Sequence, residues 1–551
     1  MSSDKKIVIV GGVAGGASFA ARMRRLNERA RIVMFDKGEF ISFANCGLPY
    51  HISEVIPERN DLILQTPEQF NARYNVDVRT CSEVTAVDTE KKVVHVRTAD
   101  STYKESFDIL LLSPGCTPIR PPIPGINLRN VFTLRTIPDM DRIKQYVTRR
   151  NKPSVAVVGG GFIGLEVAEN LCHIGCDVSL VELADQIFTP ADREMAVLLQ
   201  RQLTENGINL HLGTGVSCFK EEHDESLVIS LSNDEELIAD CAILAIGVSP
   251  DTSFLKDSGI ERNKKGAIVV NAHMQTGIPG IYAVGDAVEV TDFVSGIKTS
   301  LPLAGPANRQ ARIAADNVEG ISSTYKHTQG TAICKLFNRT AAVTGLNEKN
   351  ARRFDIAYKK SYTHSNNHAS YYPGAFPMSI KLLFAPDNGR ILGAQIVGSD
   401  GVDKRIDVFA TAIRRGLTVS DLTELELSYA PPYGSAKDPV NIAGFVAENI
   451  LTGRMPVFYS EDIAVRDTTT TTLLDVRTQF EHKNGSIPDS VCIPVDQLRK
   501  HLDELDRSGE ILIFCQVGLR GYIATSILKQ HGFNVRNLSG GYTTWSSITH
   551  G

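Results

Sequence analysis

Two stretches of this chain follow one plan: a buried-strand run, a glycine-rich turn, a helix, a second strand and a closing carboxylate. In the first, Ile7-Val8-Ile9-Val10 enters Gly11-Gly12-Val13-Ala14-Gly15-Gly16, a helix is expected from Ala17 to Asn27, and the strand Ile32 to Phe35 ends at Asp36-Lys37. In the second, Val155 to Val158 enters Gly159-Gly160-Gly161-Phe162-Ile163-Gly164, a helix runs through Leu171, and Val178 to Val181 ends at Glu182. Glycines are needed where the backbone turns sharply and approaches a pyrophosphate at a helix N-terminus, and the carboxylate accepts ribose hydroxyls. The expected fold class is therefore α/β, with two Rossmann-like dinucleotide-binding domains. Val13 stands where the first unit should have its second glycine, whereas Gly159, Gly161 and Gly164 keep full register. Glu182 lies 23 positions past Gly159 with no Arg directly after it, which favours NADH while leaving NADPH possible.

Two such units about 150 residues apart imply that one holds FAD and the other brings hydride to it. Strand-like runs ending at Gly115 and Gly247 read as crossovers, and Ile281 to Val284 leads into Gly285-Asp286, where Asp286 can hold a ribityl chain. Just past the first unit lies Ile41-Ser42-Phe43-Ala44-Asn45-Cys46-Gly47-Leu48-Pro49-Tyr50, with one cysteine and no second one nearby; position 41 is Ile and position 51 is His. A single thiol beside a flavin can exchange electrons with it directly.

These residues resemble the flavoprotein disulfide reductases with two dinucleotide-binding domains. The lone cysteine in its Ser-Phe-Ala-Asn-Cys-Gly-Leu-Pro-Tyr setting is similar to the coenzyme A disulfide reductases and their NADH-dependent persulfide reductase relatives, over roughly residues 5–450. The resemblance implies an FAD-binding domain at 1–115 and 250–325, an NAD(P)H-binding domain at 116–249 and an α/β dimerisation domain at 326–450. It implies that Cys46 forms a mixed disulfide or persulfide with substrate, helped by Asn45. It also implies a homodimer in which Tyr371 and Tyr429 reach the partner's Cys46, where a phenol can donate a proton to a leaving thiolate. Without the resemblance, Tyr beside Pro reads as interface packing. Coenzyme A contacts carried over are Ser18, Arg22, Arg25, Ser42, Asn45, Asn308 and Lys437. Arg22 and Arg25, one helical turn apart, can face one phosphate. Relatives commonly carry Gln and His at positions 22 and 308, so smaller thiol persulfides are also expected to be accepted.

After a linker at 451–459 the composition changes. Leu473-Leu474-Asp475-Val476-Arg477, Gly485-Ser486-Ile487-Pro488 and Ile511-Leu512-Ile513-Phe514-Cys515-Gln516-Val517-Gly518-Leu519-Arg520 resemble a complete rhodanese domain at 460–551. The loop from Cys515 to Arg520 should form a nest of backbone N–H groups that, with Arg520, favours a thiolate and then a persulfide.

The net charge of −5 and the lack of any apolar run of roughly 20 residues give no support for a nucleic-acid or membrane partner. The N-terminus passes directly into a strand, and ten cysteines lack a framework spacing, so a cytoplasmic, reduced protein is expected. Cys172 and Cys176, four apart on a helix, have no His or carboxylate cluster beside them and read as core; no metal site is expected. The reading is an FAD-dependent NADH:persulfide or polysulfide reductase acting on coenzyme A persulfide, with a tethered sulfurtransferase. Alternatives are coenzyme A disulfide reduction as the main activity, or an NADH oxidase or peroxidase in which Cys46 cycles through a sulfenic acid.

Overall fold

In a computed structural model that describes residues 5–222 and 226–549, the chain divides into two units. One holds the described residues of 1–185 and 207–328, the other those of 186–206 and 329–551.

The first unit contains two parallel five-stranded sheets, each centred on a glycine motif. In one, the strand order is Ile281–Ala283, Ile109–Leu112, Lys6–Val10, Arg31–Phe35, Val76–Arg79. In the other it is Val131–Thr133, Cys241–Leu244, Ser154–Val158, Asp177–Glu182, Asn209–Leu212. Corresponding strands occupy corresponding places, except that the outer strand comes late in the chain in the first sheet and ahead of the motif in the second. Ile7, Val8 and Ile9 are fully buried, as a central parallel strand covered on both faces requires.

The two turns are built alike. Gly11 N–H donates to Phe35 O at 2.8 Å and Gly159 N–H to Val181 O at 2.7 Å. Both glycines have positive φ, +96° and +113°. A Cβ on Gly11 would lie 2.1 Å from Ser113 O, and one on Gly159 would lie 2.4 Å from Ala245 O. No other residue fits. Val13 is tolerated because its φ is −96°, and at the matching Gly161 a Cβ would meet nothing within 4 Å. The first helix starts at Ala14, ahead of the expected Ala17, because Val13 O already accepts the Ala17 amide at 3.0 Å. It ends at Leu26, where Asn27 turns extended.

The second unit pairs an antiparallel five-stranded sheet, Ala332–Leu336, Arg339–Gly345, Ile391–Gly398, Pro377–Phe384, Lys359–Asn366, with a parallel one, Val457–Phe458, Asn534–Leu538, Glu510–Phe514, Thr471–Asp475, Val491–Cys492. The helix Arg193–Glu205, inside the span expected for the second nucleotide domain, packs here, tied by Asp192 N–H to Gln395 Oε1 at 2.8 Å. Lys381 is fully buried on the antiparallel sheet. Its ammonium contacts Glu194, Asp192 at 2.8 Å and Glu348 at 2.7 Å. Burial opposes its charge, but the three carboxylates together push its pKa well up. Glu348 is likewise held down to about 2 by Lys381 and Lys360 despite its own burial.

From this cluster the contacts run on into the parallel-sheet domain. Lys360 Nζ bonds Glu461 at 2.7 Å, Tyr459 O–H donates to Lys360 O at 2.8 Å, and Tyr362 N–H to Ser539 Oγ at 3.2 Å. Arg201 reaches the carbonyls of Ser546 and Ser547, both at 3.1 Å. The segment 451–459, expected as a linker, instead contributes the edge strand Val457–Phe458 to the parallel sheet, and these contacts tie that sheet to the antiparallel one.

Lys381→Met would remove the buried cation shared by three carboxylates, leaving Glu348 with Lys360 but Asp192 and Glu194 without this ammonium, so it should destabilise the second unit by about 3–5 kcal/mol. Chemical denaturation followed by the lone Trp545 is the check; a loss below about 1 kcal/mol would contradict the role given to this ammonium.

Candidate active site

A cleft of about 390 Å³ in the first unit runs from Gly11 and Asp36 to Asn45, the neighbour of Cys46, passing Pro114, Thr117 and Arg135. Asp36 anchors one end. Its Oδ2 accepts Gly12 N–H and its Oδ1 accepts Gly38 N–H, both at 2.8 Å, which leaves a further lone pair on each oxygen for ribose hydroxyls. Burial pushes its pKa up, against those two amides. Lys37 is turned to Asp251 at 2.5 Å. The bare Gly11 backbone, Gly15 and Gly16 at the head of a helix and the elongated cleft fit FAD.

Gly115 (φ +70°) and Gly285 (φ +84°) turn the chain at the ends of neighbouring strands. Asp286 pairs with Arg135 at 3.2 Å, and burial, opposed by Arg135, raises its pKa. Arg135 lines the cleft and was not foreseen; nothing in its local sequence distinguishes it.

Glu182 repeats the Asp36 arrangement, accepting Gly160 N–H at 2.6 Å and Ala184 N–H at 2.8 Å. The following residue is Leu183, exposed and unable to bind a phosphate. Phe162, Ile163 and Gly164 form the first turn of the helix Phe162–His173, and Gly247 (φ +116°) closes the facing crossover. These residues fit a pyridine nucleotide.

Cys46 sits in a short 3₁₀ turn, Asn45–Gly47, that leads into the helix Leu48–Ile52. Ser42 N–H donates to Gly12 O at 2.9 Å, tying the cysteine loop to the first glycine turn, and Ser42 has a φ of +46°. A Cβ on Gly47 would lie 2.5 Å from the end of the Leu62 side chain, which would have to shift. Cys46 reaches solvent, yet surrounding protein raises its thiol pKa. Burial is the first cause and the Glu166 carboxylate the second; Arg135 opposes them and Asp286 adds to them. Taken together, the protein groups around it favour the neutral form. Glu166 itself is pushed up to about 7, by burial and then by Glu169, with the Tyr50 hydroxyl pulling the other way. The sequence reading missed Glu166, although a carboxylate on the otherwise apolar first turns of that helix was a usable signal.

Of the residues expected to contact coenzyme A, the first unit brings Ser18 and Asn308 together, with Ser18 O–H donating to Asn308 Oδ1 at 2.6 Å. Arg22 is held by Asp316, its Nε at 2.8 Å and its Nη2 at 2.7 Å, while Arg25 is exposed one turn on. The two arginines therefore do not present equal free charges. In the second unit Lys437 is exposed, and Tyr371 (73% exposed) and Tyr429 (49%) share a hydrogen bond of 3.0 Å between their hydroxyls.

Cys515 closes the strand Glu510–Phe514 and lies at the head of the helix Leu519–Gln530, with Gly518 N–H donating to its sulfur at 3.1 Å. Gly518 has a φ of +104°, and a Cβ on Gly541 would lie 2.4 Å from Cys515 O, so both glycines shape the loop. Arg520 makes a two-pronged ion pair with Glu481, at 2.6 and 2.7 Å.

The Cys46–Glu166 coupling is testable by following alkylation of Cys46 against pH in the holoenzyme. Glu166 gains charge as pH rises through about 7 and then opposes thiolate formation. Glu166→Gln should therefore move the midpoint of Cys46 alkylation down by roughly half to one pH unit. An unmoved or raised midpoint would refute the coupling.

Residues 5–360 match the family model described as pyridine nucleotide-disulphide oxidoreductase, 331–438 the dimerisation domain of the same family, and 462–548 the rhodanese-like domain. The coenzyme A disulfide reductase of Staphylococcus epidermidis is 36% identical over 448 residues, covering 80% of this chain and all of that one. The crystal structure of reduced Bacillus anthracis CoADR-RHD superposes with a TM-score of 0.97 at 47% identity, covering 99% of this chain and 98% of that one. An NAD-dependent persulfide reductase from A. fulgidus superposes with a TM-score of 0.92 at 34% identity, covering 98% and 100%. On this evidence the chain belongs to the pyridine nucleotide-disulphide oxidoreductase family and is a flavoprotein oxidoreductase that acts on sulfur.

Proposed function

We propose that this enzyme is an NADH-dependent reductase of sulfane sulfur, acting on coenzyme A persulfide and related persulfides or polysulfides, with its rhodanese-like domain serving as a sulfurtransferase. The observation that carries the reading is the presence in one chain of two sulfur-handling thiols: Cys46 at the end of a flavin-fitting cleft, and Cys515 in a helix-head loop. A disulfide reductase alone has no use for the second. Tethering raises the effective concentration of transferable sulfur. The NADH preference rests on Glu182 followed by Leu183.

The Cys46 thiolate attacks the outer sulfur of R–S–SH; the new S–S bond leaves Cys46–S–SH, and R–S⁻ departs with the electron pair. When bound, FAD supplies the two electrons, taken from NADH, that split this adduct and release sulfide. Asn45 lines the cleft beside the reacting sulfur. Glu166 holds a proton near pH 7, within electrostatic reach of Cys46. In the homodimer, the paired phenols of Tyr371 and Tyr429 would lie by the partner's Cys46 and protonate the departing thiolate. The exposed aromatic surface around them, with Tyr433 and Phe376, supports an interface there. Ser18, Arg22, Arg25, Ser42, Asn308 and Lys437 would hold the coenzyme, with Arg25 and Lys437 carrying the uncommitted charge. All ten cysteines are thiols, and no helix among the described residues is long and apolar enough to cross a membrane. We place the enzyme in the cytoplasm.

Coenzyme A disulfide as the main substrate is the second reading, favoured by the 36% identity to the staphylococcal reductase. Anaerobic NADH oxidation with each substrate decides between them. The persulfide should be used at least roughly tenfold better in kcat/KM, and Cys46→Ser should abolish both activities. Cys515→Ser should leave reduction of soluble persulfides intact; equal loss in that variant would refute the division of labour. Rapid, catalase-insensitive NADH consumption with oxygen alone would instead favour an oxidase.

A further inference from the structure

The rhodanese-like loop carries one basic side chain able to draw an anionic donor, Arg520, and that charge is already matched. Glu481 takes both terminal nitrogens of Arg520, at 2.6 and 2.7 Å. The same carboxylate accepts the Thr478 amide and hydroxyl, each at 2.9 Å, as the third residue of a capping box on the helix Gln479–Lys483. Four donors thus pin it in place. Arg520 foremost holds Glu481 down to about 2, so it is charged at any physiological pH.

The second charged pair near the loop is also balanced. Asp475 and Arg477, both buried, bond each other at 2.8 Å, and Arg477 donates on to Gln516 Oε1 at 3.2 Å. Two carboxylates and two guanidiniums therefore stand near the Cys515 loop, with His482 on Asp475 at 2.9 Å, and the formal charges of the two pairs cancel. The residues next to the outer pair are apolar and exposed: Phe480 beside Glu481 is 75% exposed, and Leu519 beside Arg520 is 66% exposed. Cys515 itself is 1% exposed, so a donor must reach it with a slender end while resting its bulk on this apolar rim.

We propose that Glu481 sets the donor specificity of Cys515, so that the loop takes sulfur from an alkyl persulfide, neutral in its reacting R–S–SH form, in preference to the thiosulfate dianion. This rests on the sulfur-transfer reading given above. In the step itself, the Cys515 thiolate attacks the outer sulfur of R–S–SH. The Cys515 S–S bond forms, the R–S to SH bond breaks, and R–S⁻ leaves with its electron pair. The persulfide left on Cys515 accepts the Gly518 N–H in place of the thiolate. No external oxidant or reductant enters. Glu481 acts through Arg520 and touches no reacting atom; it is a positioning residue.

The test is to load full-length holoenzyme anaerobically with sodium thiosulfate or with N-acetylcysteamine persulfide, and to read the gain of one sulfur atom on the Cys515 peptide by mass spectrometry, with Cys515→Ser as blank. Wild type should load from the alkyl persulfide at least roughly tenfold faster than from thiosulfate. Glu481→Gln keeps a residue that suits the capping box and should raise thiosulfate loading roughly tenfold, in a salt-sensitive way, while changing alkyl persulfide loading by less than about threefold. Arg520→Gln uncovers the carboxylate and should slow thiosulfate further. Equal loading from both donors in wild type, or an unchanged donor ratio in Glu481→Gln, would overturn the assignment of specificity alone. Loading from neither donor would overturn the sulfur-transfer reading and this inference with it.

Discussion

The hydrogen bond from a glycine-turn amide to the carboxylate at the end of the next strand is the contact on which the first unit depends. Gly12 reaches Asp36, and Gly160 reaches Glu182. Each bond fixes the spacing between strand ends, holds the turn where a pyrophosphate can approach backbone, and points a carboxylate at a ribose. The same turn also positions the chemistry, because Gly12 O takes the Ser42 amide and so anchors the loop that carries Cys46. A cofactor cradle and a reactive thiol are thereby set by one short piece of backbone.

Around Cys46 the charges do not simply activate the thiol. Burial and Glu166 favour the neutral form, and Arg135, itself held by Asp286, pulls back. The titration of Glu166 therefore shifts how strongly the protein favours the neutral thiol. Charge is handled differently at the rhodanese-like loop, where ion pairs cancel locally and leave hydrogen bonding and apolar contact to choose the donor. In the second unit, Lys381 and its three carboxylates form a buried cluster whose outer members, through Lys360 and Glu461, reach across to the rhodanese-like domain. That domain is docked by specific polar contacts, which restrict how Cys515 can move.

Much of this was legible because it depends on local backbone needs. Gly11, Gly159 and Gly518 have positive φ and Gly16 and Gly164 sit against backbone, so their identity follows from geometry that a linear pattern reveals. Asp36, Glu182 and Cys515 stand at strand ends, where a run of buried residues stops and polar chemistry begins, and Cys46 stands in a short turn that opens a helix. Even the departure at Val13 is explained by a turn position of negative φ.

What only the tertiary structure decided are the partners made between distant segments. Arg135 comes to the cleft from a stretch without a motif, Glu166 approaches Cys46 from the other nucleotide helix, and Arg22 is taken up by Asp316, nearly three hundred residues later. Arg520 is paired by Glu481, which lies 39 residues earlier in the chain. Sequence alone determined the folds, the nucleotide-binding turns and the two thiols, since those rest on periodicity and backbone conformation. The effective charge at each thiol was left to the fold, because electrostatic coupling depends on distance and burial, and neither is written in the order of residues along the chain.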